Sequence, residues 1–67
     1  MVRLSELREG STIRVRGAFG TGVAQTATVN CVEADIKNGL PGIDYTINAT
    51  GEQHWAYLDQ VDSVIAF

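Results

Sequence analysis

The chain has 67 residues, 45% of them hydrophobic and 19% charged, and a formal net charge of −3. That is too apolar and too sparsely charged for a disordered segment, and it is long enough for one domain (1–67), whose small core removes only ~60% of the unfolded surface from water. A single cysteine, Cys31, excludes an internal disulfide, and Arg3, Glu6 and Arg8 break the opening apolar stretch, so neither a signal peptide nor a membrane span is expected and the chain reads as cytoplasmic.

Seven glycines mark frequent turns and favour short strands over long helices. In the opening LSELREG, Leu4 and Leu7 are spaced for a single helical turn that Ser5 can cap and Gly10 can end. Thr12 to Ala18 then alternates, Ile13 and Val15 on one face and Thr12, Arg14 and Arg16 on the other, which predicts a strand wet on one side. GAFGTG follows as a bent loop with Phe19 at its tip; a strand comes after it, so no helix N-terminus is offered to a phosphate. Gln25 to Lys37 is a long strand in which Ala27, Val29 and Cys31 share a face, with a bend or bulge expected near Cys31–Ala34.

KNGLPG is the strongest turn signal: Asn38-Gly39 suits a tight reversal and Pro41-Gly42 the middle of a type II turn. Ile43, Tyr45 and Ile47 alternate with Asp44 and Thr46 as a third strand. NATGE turns the chain into a fourth, Gln53 to Tyr57, and its glycosylation sequon, Asn48-Ala49-Thr50, reads as a turn. Leu58-Asp59-Gln60 is a single 3-10 turn before a closing strand, Val61 to Ala66. The expected fold is therefore all-β: a five-stranded SH3-like small barrel with a short N-terminal helical turn and a 3-10 turn before the last strand. An OB-fold would need a longer chain and a helix between its third and fourth strands.

The segments GAFGTG, TATV, DIKNGLPGIDY and HWAYLDQV resemble small uncharacterised SH3-like barrel proteins of bacteria and their phages or other mobile elements. The resemblance covers nearly the whole chain, rests on turn and core residues, and implies a fold with no settled activity. A looser similarity is to the plasmid-borne type II dihydrofolate reductases, short barrels that act as tetramers around a pore. HWAY would align with their pore segment, but only Tyr57 matches: Trp55 stands where that family has glutamine, and Lys37, the only lysine, sits at a turn rather than on the first strand.

Charge is distributed unevenly. Residues 1–19 carry Arg3, Arg8, Arg14 and Arg16 against Glu6 and Glu9, a net of +2, whereas residues 20–67 carry a net of −5. His54 is the one side chain expected to titrate near neutrality, and it shares a face with Ala56 opposite Trp55 and Tyr57. A set assembled from Cys31, His54 and Asp59 matches no local signature, and Cys31 reads as a core residue. One histidine and one cysteine fall short of a four-ligand zinc site, so no metal or other cofactor is expected.

The aromatics remain. Burying one ring is worth ~2–3 kcal/mol, so at least one is core: Tyr45, with Ile43 and Ile47. The expected partner surface is Phe19, Tyr45, Trp55 and Tyr57 with Asp44 and Glu52 around it, gripping a protein or an extended peptide by aromatic contact and meeting its basic flanks. Two alternatives use other features. Arg3, Arg8, Arg14 and Arg16 would form a nucleic-acid face, which the net charge disfavours. Self-association at open strand edges would cover the aromatics or assemble an oligomeric small-barrel enzyme.

Overall fold

The computed structural model describes residues 2–17 and 20–67; the expected tip aromatic, Phe19, lies outside them. Five antiparallel strands, β1 (Thr12–Arg16), β2 (Ala24–Lys37), β3 (Leu40–Ile47), β4 (Gln53–Tyr57) and β5 (Val61–Ala66), form one sheet in the order β4-β3-β2-β1-β5. Two 3-10 turns, Leu4–Glu6 and Leu58–Gln60, complete the regular structure of the described residues. The protein is all-β, as its alternation predicts. β4 and β5 stand at the two edges of the sheet, with no ladder joining them.

Alternation decides what is buried. Ile13 and Val15 of β1, Ala27 and Val29 of β2, Ile43, Tyr45 and Ile47 of β3, Ala56 of β4 and Val61 of β5 enter one cluster with Val2 and Leu7. β2 makes this possible by pairing with β1 over Ala24–Thr28 and with β3 from Ala27 onward, so both halves of the sheet contribute side chains to one cluster.

Bulges set the details. Val29 pairs with Tyr45 but Cys31 pairs with Asp44, so Asn30 is the extra residue and the inward-outward period restarts one position late. The slip is real but lies earlier than the expected Cys31–Ala34. Its effect is to turn Cys31 outward and Val32 inward, which corrects the reading of Cys31 as core. In β5, Ile13 pairs with Val64 and Val15 with Val61, so Asp62 and Ile65 fall at irregularities and are exposed.

The reversal after β2 is the two-residue turn Asn38-Gly39, with φ of 56° and 74°, and the Asp35 Oδ1 accepts the Gly39 N–H at 2.9 Å. Pro41 and Gly42 lie in β3 and not in a turn. A second irregularity in β2, between Glu33 and Lys37, lies opposite Pro41, which has no N–H to donate. Gly42 is tightly enclosed: a Cβ there would overlap the Ala56 carbonyl and the Ile36 side chain.

Two polar side chains tie the sheet's ends. Buried Gln60 donates from Nε2 to the Arg16 carbonyl (2.8 Å), and its Oε1 accepts the Tyr57 N–H (2.9 Å), bridging the ends of β1 and β4. Buried Ser11 accepts the Arg8 N–H at 2.9 Å, and its hydroxyl donates to the Phe67 carbonyl at 3.3 Å. The first 3-10 turn is held by Glu6 Oε1 accepting the Arg3 N–H (2.9 Å) and not by Ser5.

Candidate functional site

β4 is an edge strand, and its alternation sends Ala56 inward and Trp55 and Tyr57 outward, both half-buried. Their rings meet edge to face, with centroids 5.1 Å apart and planes at 86°. Asp44 lies directly across the ladder from Trp55 on the same outer face. The end of the β2–β3 hairpin folds back toward this pair: the Lys37 Nζ stands 5.3 Å from the centre of the Trp55 ring, and Asn38 Nδ2 donates to the Tyr57 hydroxyl at 3.4 Å.

Three shallow depressions surround these aromatics. One, of about 330 Å³, is lined by Gly17, Gln25, Tyr45, Ile47, Glu52, His54, Trp55 and Gln60. A second, of about 400 Å³, is lined by Asn30, Cys31, Asp44, Gln53, His54 and Trp55, so the two meet at His54 and Trp55. The third, of about 240 Å³, lies between Leu40, Pro41, Tyr57, Leu58 and Asp59 and is chiefly apolar.

Of the expected partner surface, Trp55, Tyr57 and Asp44 come together, and Glu52 stands at the start of β4, with its Oε1 3.9 Å from His54 Nε2. Tyr45 does not belong to that surface. It is 3% exposed because it points inward between Ile43 and Ile47, and burial pushes its phenol above the ordinary value; it also contributes to the lining of the first depression. His54 is exposed and lies across the ladder from Tyr45, its ring 5.9 Å away.

The thiol and the imidazole border the same open cleft, while Asp59 lies in the third depression, so the Cys31, His54 and Asp59 set is not assembled. Desolvation, and then the negative charges of Glu33 and Asp44, push the Cys31 thiol above its ordinary value, which disfavours the nucleophilic thiolate. Its Sγ and the carboxylates of Glu33 and Asp44 lie within 4.8 Å of one another, the one such group among the described residues. Three donors are one short of a closed zinc site.

The arginines are dispersed and partly occupied. Arg16 forms an ion pair with Asp62 at 2.9 Å, Arg8 donates from Nε to the Phe67 carbonyl and stacks 4.3 Å over the Phe67 ring, and Arg14 reaches the Ala24 carbonyl at 3.4 Å. Arg3 is exposed beside the first 3-10 turn.

Sequence reasoning missed Lys37, Asn38, Glu33 and Gln60. Period-two alternation could have placed Glu33 outward once the slip was put at Asn30; nothing local announces that Lys37 returns to an indole 18 positions ahead. No family model, curated protein or solved structure matches the chain. No helix among the described residues is long and apolar enough to cross a membrane.

Proposed function

We propose that this chain is a non-enzymatic SH3-like small barrel, of the kind the sequence resembles in bacteria and mobile elements, that binds an extended segment of a protein partner across the outer face of β4. The strand order, the long bent β2 shared by two halves of the sheet and the 3-10 turn before β5 support the barrel reading. The observation that carries the function is the orthogonal Trp55–Tyr57 pair, half-buried on the outside of an edge strand at the meeting of two open clefts. Rigid aromatic rings of this sort anchor interfaces at low entropic cost. Asp44 and Glu52 on either side suit a partner with basic residues beside its apolar ones.

A displayed library of random linear peptides tests this. Enriched peptides are expected to shift the amide resonances of Asp44, Glu52, Trp55 and Tyr57, and Trp55→Ala is expected to weaken them roughly tenfold or more while the fold persists. Peptides that bind Trp55→Ala as well as the natural chain, or a library that yields none, would overturn the proposal.

A further inference from the structure

The outer face of β2 and β3 carries a charge imbalance next to the indole of β4. Asp44 is the cross-strand neighbour of Trp55, and the Glu33 carboxylate lies within 4.8 Å of the Asp44 carboxylate. No ion pair within 4.0 Å neutralises either one among the described residues. The one cation at hand, Lys37, stands over the Trp55 ring, at 5.3 Å from its centre, on an exposed hairpin end. An indole face attracts ammonium and guanidinium groups out to about 6 Å, and an exposed contact of this kind is weak enough to exchange.

We infer that this corner is a recognition site for a cationic side chain, arginine or lysine, of an extended partner segment: the cation lies on the Trp55 ring, Asp44 and Glu33 supply the counter-charge, and Lys37 is an intramolecular placeholder that the ligand displaces. The inference rests on the peptide-binding reading and adds the chemistry of the residue that is read. Charge complementarity fixes the choice, because Glu33 and Asp44 lie together with no ion pair to either among the described residues, and the cleft of about 400 Å³ that Asp44 and Trp55 line is open to an incoming side chain. A phosphate-bearing ligand would meet the same two carboxylates and be repelled.

Trp55 is the only tryptophan, so the intact protein reports on its own site. Indole fluorescence and the indole N–H resonance are titrated with L-argininamide, against sodium chloride at matched ionic strength. The expected result is a saturable change with argininamide alone, a midpoint about two- to fivefold lower in Lys37→Met, and one about two- to fivefold higher in Asp44→Asn and Glu33→Gln. A response no different from that of sodium chloride, or midpoints unmoved by Lys37→Met and Asp44→Asn, overturns the inference. Failure here is distinguishable from failure of the peptide reading: selected peptides that seat on Trp55 without any cationic residue would sink the cation site and leave the peptide site standing. If neither peptides nor argininamide touch Trp55, both fall.

Discussion

Cys31 shows how one residue's environment overrides its type. A free cysteine is commonly buried, and the run Ala27, Val29, Cys31 places it inward, but the extra residue at Asn30 turns it out beside Glu33 and Asp44. Accessibility alone would make the thiol reactive; desolvation, and then the neighbouring carboxylates, oppose the thiolate that reaction requires. Reaction with an aromatic disulfide reagent is therefore expected to be slower at pH 7 than that of a free cysteine, with a rate that rises through a midpoint above the ordinary ~8.5. Glu33→Gln and Asp44→Asn should each speed it at neutral pH. A rate profile centred below the ordinary value would contradict this assignment. His54 contrasts with Cys31: no bulge intervenes in β4, and its position with Ala56, opposite Trp55 and Tyr57, follows from alternation.

At the scale of elements, two contacts hold neighbouring strands at a fixed spacing. Gly42 lets β3 approach the Ala56 carbonyl of β4 while Ile36 of β2 packs over the same point. Gly42→Ala is expected to cost about 1–3 kcal/mol, since the methyl must displace backbone, and thermal unfolding would show it. An unchanged melting temperature would mean that the strands separate freely there. Gln60 acts differently, by accepting the Tyr57 N–H and donating to the Arg16 carbonyl at the ends of two strands. Gln60→Leu keeps similar bulk and leaves both groups unpaired, an expected loss of about 1–3 kcal/mol for each, measurable by denaturant unfolding. Wild-type stability in that variant would show that water replaces the side chain. Element boundaries were readable to within a residue for β2, β4 and β5 because turns and alternation agree; β3 begins earlier than its turn residues suggest, because pairing with the long β2 draws Leu40, Pro41 and Gly42 into the ladder.

For the whole molecule, the basic first part of the chain is drawn into contact with the acidic remainder. Folding brings Asp62 of β5 onto Arg16 of β1, sets Arg8 on Phe67 and lets Arg14 reach the Ala24 carbonyl, so three of the four arginines are engaged within the chain. With a net charge of −3, no saturable binding of labelled oligonucleotides is expected even at low salt. Binding at low salt that weakens as salt is added would instead restore the arginine face as a nucleic-acid surface.

By itself, the sequence determined the all-β class, the succession of five strands along the chain, a helical turn near the start, the 3-10 turn before the last strand and the inward set Ile13, Val15, Ala27, Val29, Ile43, Tyr45 and Ile47, because a period of two and the steric demands of glycine are local properties of the chain. Only the tertiary structure decided that Cys31 faces solvent, that Gln60 closes the gap between β1 and β4, and that Lys37 lies on Trp55. Those outcomes depend on where a ladder drops a residue and how far a hairpin bends, which are settled by the packing of strands distant in sequence and leave no mark on any short segment.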